Sequence, residues 1–157
     1  MTEKAFYAYG MLSWKVTCVC KYDSKGNKTE EAKYDSAGSL DDKYICKYDR
    51  KGNKTEDAEY TSDGSLLYKR IYKYDTKGNK TEEAWYDNYG SYKYIYKYDT
   101  KGNKTEQAYY ASDGSLLYKC IYKYKYDTEG NVTEVTEYKG EIQIPISQTV
   151  YTIIYRK

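Results

Sequence analysis

One nine-residue pattern recurs five times along this chain, and it constrains the fold more than any other feature. The pattern is Tyr-Asp-x-x-Gly-Asn-x-Thr-Glu, and its copies start at Tyr22, Tyr48, Tyr74, Tyr98 and Tyr126. These starting positions are 26, 26, 24 and 28 residues apart. A nearly fixed period of this size is typical of repeat proteins, so each copy is taken to open one supersecondary repeat.

Alternation of residue types predicts that the segments between the copies are β-strands. From residue 14 to residue 22, mainly apolar and aromatic side chains alternate with Lys, Thr and Val, which is the period of a half-buried strand. Each repeat also has two glycine turns, at residues 75–79 and 62–65 in the central copies. The first fits a type I turn closed by a glycine bulge. Helices are excluded because no 3.6-residue apolar stripe is present.

The predicted fold class is all-β: an antiparallel array of β-hairpin repeats forming a meander of about 10–12 strands. We expect a curved or spiral single sheet, and the pattern leaves closure into a barrel open. Two irregular repeats support the strands, because the third lacks two residues after Gly90 and the fifth gains Lys123 and Tyr124. Even changes of length keep each side chain on its face of a strand.

The first turn also predicts how the strands of a hairpin pair. Placing it at residues 75–79 sets Tyr72 opposite Glu82 and Arg70 opposite Ala84. We therefore expect an inner face of tyrosines, where the glutamate accepts hydrogen bonds from hydroxyls that would otherwise be costly to bury. The opposite face, rich in lysine, isoleucine and threonine, is expected to be solvated.

We expect a single repeat domain over residues 1–157. It would consist of an N-terminal cap at 1–13, five hairpin repeats at 14–140 and C-terminal capping strands at 141–157. Terminal segments of repeat proteins commonly cap the array in this way. Pro145, the only proline, fits an edge strand or a bulge.

Charge and hydropathy exclude several partner classes. The 26 Lys and Arg residues are interleaved with 24 acidic residues, so we expect neither nucleic-acid binding nor a membrane patch. No apolar run approaches the ~20 residues of a transmembrane helix. Residues 1–4 do not resemble the start of a signal peptide. The compartment stays open between the bacterial cytoplasm and, if a leader has been removed, the cell surface or exterior.

The sequence offers little for catalysis or metal binding. It has no histidine, which removes the usual general base and the commonest zinc ligand. Cys18, Cys20, Cys46 and Cys120 are expected to be reduced core thiols, with disulfides or metal ligation as the weaker alternatives. The Asp-x-x-Gly-Asn turns lack the dense acids of calcium loops, so turn chemistry is favoured. We expect no enzyme activity, no cofactor and no bound metal.

The five Tyr-Asp-x-x-Gly-Asn copies, alternating with a second Tyr-x-x-x-Gly turn, resemble the YD-repeat (RHS-repeat) family over about residues 20–140. The resemblance implies long antiparallel hairpin arrays that spiral into hollow shells, in bacterial toxins and cell-surface proteins. This chain differs from the large family members in having only five repeats and no Asp-Pro self-cleavage motif, since Pro145 follows Ile144.

Aromatic side chains that interrupt the repeat pattern are the candidate binding residues. One position that is charged in the first, second and fifth repeats becomes Trp85 and Tyr109 in the third and fourth, and Tyr89 occupies the third repeat's second turn. Lys69 and Lys93, predicted to lie opposite, would add cation–π contacts. Exposed aromatics on a rigid sheet are plausible anchors for a protein or sugar. The alternatives are drift on an exposed face and packing under the terminal cap.

Two functions follow from these features. The first is a non-enzymatic module that binds a protein or carbohydrate through its exposed aromatics. The alternative is a purely structural or self-assembling fragment of a longer array, without a ligand. Self-association is expected if the tyrosine face is open, because it would then form a large exposed patch.

Overall fold

The computed structural model describes residues 2–8, 11–140 and 144–150, and every regular element in these ranges is a β-strand. The strands are β1 (Thr2–Ala8), β2 (Met11–Tyr22), β3 (Lys28–Tyr34), β4 (Leu40–Tyr48), β5 (Lys54–Thr61), β6 (Leu66–Tyr74), β7 (Lys80–Asp87), β8 (Gly90–Tyr98), β9 (Lys104–Ala111), β10 (Leu116–Tyr126), β11 (Val132–Lys139) and β12 (Ile144–Val150).

The strands form one antiparallel sheet in which their order is the order of the chain. The order does not return from β12 to β1, so the described strands do not close into a barrel. This confirms the predicted all-β class and the single antiparallel meander. β12 pairs with β11 and has a register irregularity next to Pro145, as predicted. Residues 9 and 10 of the predicted N-terminal cap and the capping segment after Val150 lie outside the described residues.

Close contacts divide the chain into two compact units. The first unit comprises residues 1–74 and 83–91, and the second comprises residues 75–82 and 92–157. Among the described residues of each unit, strands contact only their neighbours in the sheet. Each unit is therefore held together by pairing between adjacent strands and by the side chains along them.

The Asp-x-x-Gly-Asn turns share one hydrogen-bonding pattern. In the second repeat, the Gly52 N–H donates to the Asp49 carbonyl at 3.1 Å, and the Asp49 N–H donates to the Asn53 carbonyl at 2.9 Å. The Asp49 carboxylate accepts from the Lys51 N–H at 2.8 Å and from the backbone and side-chain N–H groups of Asn53 at 2.9 Å. Gly52 has φ +90°, which glycine adopts without a steric penalty. The repeated Asp, Gly and Asn thus build the predicted turn.

The second turns vary in length but use the same chemistry. In the second repeat, the Asp63 carboxylate accepts from the Ser65 N–H at 2.9 Å. In the third repeat, which lacks two residues, the Asp87 carboxylate accepts from the N–H groups of Tyr89 and Gly90 at 2.8 and 3.1 Å. An aspartate carboxylate therefore accepts backbone N–H groups in both versions, from within the long turn and from the start of the short one.

A bulge beside the first turn shifts the register by one residue from the predicted one. In the β4–β5 hairpin, Tyr48 pairs with Lys54 as expected, but Lys47 pairs with Glu56, so Thr55 is an extra residue. The first, fourth and fifth repeats show the same shift. The predicted pairing of a tyrosine with the repeated glutamate is wrong at these hairpins. Because a one-residue slip moves a whole strand's side chains to the other face, the glutamates and alanines join the lysines and isoleucines.

We call the two faces of the sheet the tyrosine face and the lysine face. In β4–β6 the tyrosine face carries Tyr44, Cys46, Tyr48, Asp57, Glu59, Tyr68, Arg70 and Tyr72. The lysine face carries Lys43, Ile45, Lys47, Glu56, Ala58, Lys69 and Ile71. The residues at equivalent positions of the other repeats are assigned to the same faces.

The repeated glutamate bridges two lysines on the lysine face. Glu56 lies 2.9 Å from Lys47 and 3.0 Å from Lys69, which belong to the strands on either side. Glu106 makes the same two contacts in the fourth repeat, with Lys97 and Lys119 at 3.1 and 3.2 Å. Opposite charges thus pair across strands, and the repeated glutamate lies on the lysine face rather than on the tyrosine face as predicted.

Within residues 17–140 and 146–150, whose side chains the structure describes, the buried apolar residues are all small. They are Cys18, Ala32, Cys46, Ala58, Ala84, Ala108 and Cys120. Of the four cysteines, which are all free, three are therefore core thiols as predicted, and Cys20 is half-buried. Since few large side chains are fully buried, cross-strand pairs rather than a packed interior dominate the stability of each unit.

A tyrosine hydroxyl ties each repeat to the preceding one. In the first unit, the Tyr74 hydroxyl donates to the Lys54 carbonyl at 2.8 Å. The other bonds of this kind run from Tyr48 to Lys28, Tyr98 to Lys80 and Tyr124 to Lys104, at 3.0, 2.8 and 2.7 Å. In the fifth repeat the inserted Tyr124 takes this role, and Tyr126 reaches the Asp99 carboxylate at 2.9 Å. The two-residue insertion thus preserves the link, as expected of an even change.

Candidate functional site

A buried charged network lies on the tyrosine face of the first unit. Asp57 is 0% exposed, and the Arg70 guanidinium donates to its two carboxylate oxygens at 2.6 and 3.1 Å. The Tyr72 hydroxyl donates to the same carboxylate at 3.1 Å, and the Lys54 ammonium lies 3.4 Å away. Because a buried carboxylate is strongly unfavourable unless it is paired, these partners are needed to hold Asp57 in place.

The pKa shifts in this network favour fixed protonation states. Burial raises the pKa of Asp57, but hydrogen bonds from Arg70 and Tyr44 outweigh it and leave the pKa below its ordinary value. Burial and the neighbouring Asp57 charge raise the pKa of Tyr72 above the usual phenol range, and burial with the Asp57 hydrogen bond does the same for Tyr44. The carboxylate stays ionised and the phenols stay neutral, which suits a structural network better than proton transfer.

Trp85 lies beside this network, on the tyrosine face. Its ring stacks on Tyr68 with centroids 5.7 Å apart, and the Arg70 guanidinium carbon lies 4.9 Å from the Trp85 ring centroid. The indole N–H donates to Glu83 at 3.0 Å. The prediction that Trp85 lies on the solvated face opposite Lys69 is wrong, because its ring contacts Tyr68 and Arg70, which lie on the tyrosine face. Arg70 supplies the cation–π contact instead.

The other predicted binding residues of the first unit lie elsewhere. Lys69 is on the lysine face, 3.0 Å from Glu56. Tyr89 is at the tip of the third repeat's short turn and is 100% exposed. The structure therefore does not bring Lys69 onto the same face as Trp85, and a binding role for any of these residues stays a prediction.

Tyrosine rings form a contiguous group on the tyrosine face of the second unit. Tyr109 stacks on its cross-strand partner Tyr94, with centroids 4.6 Å apart and an interplanar angle of 24°. Tyr92 meets Tyr109 edge-on at 5.6 Å, and Tyr94 continues to Tyr96 at 6.2 Å. These distances are within the range in which aromatic pairs attract one another. The group therefore forms a continuous aromatic surface, half-exposed to solvent.

The prediction that Lys93 lies opposite Tyr109 is wrong. Lys93 pairs with Tyr110 and its ammonium lies 6.0 Å from that ring's centroid, so it belongs to the lysine face. Tyr109 belongs to the tyrosine face for the same reason as Trp85. Lys93 is therefore not the cation–π partner of Tyr109. Tyr109 itself is a half-buried aromatic side chain.

Lys104 places a positive charge among the rings of the second unit. Its ammonium lies 4.8 Å from the Tyr122 ring centroid and 5.8 Å from that of Tyr96. The side-chain oxygen of Gln107 accepts its hydrogen bond at 2.7 Å. Lys80 approaches the same Tyr96 ring, at 5.4 Å. Lys104 takes part in none of the ion pairs formed by the described residues.

A groove of 480 Å³ adjoins this surface in the second unit. It is lined mainly by residues 75–77 and 96–100 of two successive turns and their flanking strand. The Lys77 ammonium crosses to the Thr100 carbonyl at 2.8 Å. Tyr96 lines the groove and also contacts Lys104. Tyr96 therefore belongs both to the groove lining and to the surroundings of Lys104, and the groove volume is within the range of ligand pockets.

The buried thiol of the second unit is unsuited to nucleophilic chemistry. Cys120 is 1% exposed, and its thiol donates to the Tyr118 hydroxyl at 2.6 Å. Burial raises the pKa of the Cys120 thiol, and the interaction of Tyr118 with Cys120, together with burial, raises the pKa of Tyr118 to about 12. A reactive cysteine needs a lowered pKa and access to solvent, so Cys120 is a packing residue.

The repeated turn carboxylates are occupied by the turns themselves. Hydrogen bonds from the Asn27 side chain and backbone lower the pKa of Asp23, and the Asn79 side chain does so for Asp75. Within residues 2–8, 11–140 and 144–150, no group of three or more cysteine and carboxylate side chains is placed to hold a metal ion. The same ranges contain no helix long and apolar enough to span a membrane.

Sequence reasoning missed the Asp57–Arg70 network and the Lys104 surface. Both involve one strand position, which is Glu31, Asp57, Glu83 and Gln107 in the first four repeats. Read with the bulge included, this position faces Arg70 in the second repeat. The departures from the repeat pattern were visible in the sequence, but the predicted register assigned them to the lysine face.

Comparison with known proteins gives structural likeness without a family assignment. No protein-family model matches the chain, and no curated protein matches it. The crystal structure of TcdB2-TccC3-TEV is similar, with 16% identity and a TM-score of 0.48, covering 96% of this chain and 10% of that one. A porin-like protein from Bacteroides uniformis is similar at 11% identity and a TM-score of 0.48, covering 95% of this chain and 84% of that one.

A third similar structure is a Bacteroides fragilis protein of unknown function, at 14% identity and a TM-score of 0.33, covering 88% of this chain and 94% of that one. The present chain thus spans about a tenth of the length of the toxin chain that it resembles. At these identities the likeness concerns the arrangement of strands, and the chain is similar to these proteins in that respect alone.

Proposed function

We propose that this chain is a non-enzymatic β-repeat module that binds a protein or carbohydrate partner through aromatic side chains of its tyrosine face. The observation that carries the proposal is the pair of half-exposed aromatic groups, Trp85 with Tyr68 in the first unit and Tyr94 with Tyr109 in the second. Rigid aromatic side chains supply contact area at little cost in conformational entropy, and they dominate many binding sites.

The repeated polar residues support a scaffold role beneath these aromatics. Asp49 holds its turn, Glu56 bridges two lysines and Asp57 holds Arg70. The pKa of each of these carboxylates lies below its ordinary value, whereas a general acid or base works best with a pKa near the ambient pH. We include the absence of catalysis in the proposal on these grounds. The five in-phase Tyr-Asp copies favour a YD-repeat type of array.

The proposal is tested by binding before and after removal of the aromatic side chains. The tagged chain would be screened on a glycan array and used to capture proteins from bacterial envelope extracts, followed by titration of the isolated partner. Trp85→Ala and Tyr109→Ala, singly and together, should weaken binding of that partner at least tenfold. Circular dichroism and thermal unfolding would show whether each variant remains folded.

Tyr22→Ala is the matched control, because Tyr22 is an exposed tyrosine outside both aromatic groups, 61% exposed. It should leave the affinity unchanged. Equal affinity of the parent and a folded Trp85/Tyr109 double variant would contradict the proposed site. Failure of the parent to bind any glycan or protein would contradict the binding function itself.

A purely structural, self-assembling role is the second candidate. It is favoured by the tyrosine-to-carbonyl bonds that link successive repeats, such as Tyr74 to Lys54 and Tyr124 to Lys104, because they suit an array whose function is its length. Light scattering over a hundredfold concentration range tests self-association. A constant monomer mass would contradict assembly of this chain with itself.

A further inference from the structure

We infer that the second unit binds an acidic sugar, whose carboxylate pairs with Lys104 while its ring lies against Tyr96 at the groove. This inference rests on the proposed function and names the ligand class for one part of the tyrosine face. It concerns Lys104, Gln107, Tyr96 and Tyr122. None of these is among the binding residues predicted from the sequence.

The first step is a difference between repeats at one pair of positions. In the first two repeats, the lysine after the turn is neutralised by an acid three residues later: Lys28 by Glu31 and Lys54 by Asp57. In the fourth repeat Gln107 replaces the acid, and Lys104 donates to an amide oxygen instead. The backbone arrangement is repeated, but the charge is not balanced, so the ammonium is left available for an anion.

The second step is the charge around Lys104. Two carboxylates of the same unit lie nearby, Glu137 beyond β10 and Asp99 in the adjoining turn. The hydrogen bond with Cys120 and the positive charge of Lys104 both lower the pKa of Glu137, which also accepts from the Ser147 hydroxyl at 3.1 Å. Asp99 accepts from Asn103 and from the Tyr126 hydroxyl. The Lys104 charge acts on Glu137, but neither carboxylate is within ion-pair distance of it, so a ligand carboxylate would form its first direct ion pair.

The third step is the shape and chemistry of the surface. Tyr96 and Tyr122 flank the ammonium, and the groove of 480 Å³ opens beside Tyr96. Between residues 94 and 98 of β8, the side chains on this face are tyrosines only, and the aliphatic Ile95 is on the other face. Protein interfaces usually have an apolar centre depleted of lysine. A hydroxylated, acidic ligand fits aromatic rings, an amide and an ammonium better than an apolar protein surface does.

The test uses the full chain and a trimer of galacturonic acid, with its methyl ester as an uncharged control and a sialic-acid trisaccharide as a second carboxylate source. Isothermal titration should show binding of at least one acid, at least tenfold tighter than the ester, and weaker at high salt. Binding of both acids would indicate recognition of the carboxylate; binding of one would identify the sugar.

Gln107→Glu is the decisive variant, because it restores the acid that the first two repeats have. It should neutralise Lys104 and reduce acid-sugar affinity at least tenfold while thermal stability is kept. Lys125→Met is the control, since Lys125 pairs with Glu134 on the lysine face and does not line the groove, and it should leave the affinity unchanged.

Equal binding of acid and ester, unchanged affinity in Gln107→Glu, or no binding of either acid by the parent would overturn the inference. The proposed function fails separately. If a different partner is captured through Trp85 and Tyr109 while the acidic sugars do not bind, the proposed function stands and the present inference falls.

Discussion

The same cross-strand site is filled in two different ways in the two units. In the first unit Asp57 faces Arg70, and in the second Gln107 faces Cys120. Asp57 and Cys120 are the largest fully buried side chains of the described residues, at 0% and 1% exposure. One repeated backbone therefore accepts either a charged network or a neutral pair at its most buried point.

The difference shows how these repeats separate folding from surface chemistry. Turns, bulges and tyrosine-to-carbonyl bonds recur in both units and fix the backbone. The side chains on the tyrosine face are then free to differ, provided that each buried polar group keeps a partner. The first unit balances its charges internally, as Lys33 does with Asp42 at 2.9 Å, whereas the second presents rings and Lys104.

The largest effect is expected from Arg70→Met. This change leaves the Asp57 carboxylate buried without its main partner, and removal of one member of a buried ion pair costs about 3–5 kcal/mol. Urea unfolding followed by circular dichroism would measure the loss. Cys120→Ala, at the equivalent neutral site, should cost only about 1 kcal/mol. Equal losses at the two sites would show that the charged network has no special role.

Acid should separate the two sites as well. Because the folded-state pKa of Asp57 is lowered, its ionised form stabilises the fold above the unfolded pKa of about 3.9. That contribution is lost as the pH falls through the lower folded pKa. The stability difference between the parent and Asp57→Asn should therefore shrink below about pH 4. Turn carboxylates such as Asp75 titrate in both the parent and the variant, so their contributions cancel in the stability difference. A difference independent of pH would contradict the assigned ionisation.

The turns should respond equally in the two units. Gly52 and Gly102 have φ +90° and +88°, and a Cβ at either position meets no backbone within 4 Å. Alanine at each should cost about 1–2 kcal/mol, the penalty for a left-handed conformation. Thermal unfolding of the two variants measures this. A clear difference would mean that the units differ in their backbone and not only in the side chains of one face.

The links between repeats should also be equivalent. Tyr74→Phe and Tyr124→Phe each remove one hydroxyl-to-carbonyl bond, at 2.8 and 2.7 Å. Each should lower the free energy of unfolding by about 1 kcal/mol, measured by urea titration. Because Tyr124 belongs to the two-residue insertion, an effect confined to Tyr74 would contradict the view that the insertion transfers this link intact.

Local chemistry made most of the fold predictable from the sequence. The turns follow from Asp, Gly and Asn at fixed spacing, and the strands follow from period-two alternation. The insertion of an even number of residues predicted that each side chain keeps its face of the sheet. The hydrogen bond from Tyr124 to the Lys104 carbonyl confirms this. These features depend on neighbouring residues alone, so a single repeat carries the information needed to predict them.

The register was not predictable in the same way, because a bulge has no residue type of its own here. Thr55 lies outside the pairing although its sequence favours a strand. An unrecognised extra residue reversed the second strand in the first, second, fourth and fifth repeats. The predicted register therefore assigned Trp85 and Tyr109 to the wrong face. Trp85 and Tyr109 do differ from the residues at the same position in the other repeats, as the sequence showed. Their contacts with Arg70 and Tyr94 were found only in the structure.

The smallest effect is expected from exchanging charge and amide between repeats. Gln107→Glu should raise the free energy of unfolding by about 0.2–1 kcal/mol, the usual value of a partly exposed ion pair, by pairing with Lys104. Glu31→Gln should lower it by a similar amount, since Glu31 pairs with Lys28 in the first repeat. High-precision thermal unfolding at low and high salt would measure both.

If the two changes in unfolding free energy have opposite signs and both become smaller at high salt, this position tunes surface charge without altering the fold. If Gln107→Glu instead destabilised the chain, the amide would be required by its surroundings, for example by Tyr96 and Cys120 on either side. The unpaired Lys104 would then follow from packing, and the contrast between the two units would concern stability rather than ligand binding.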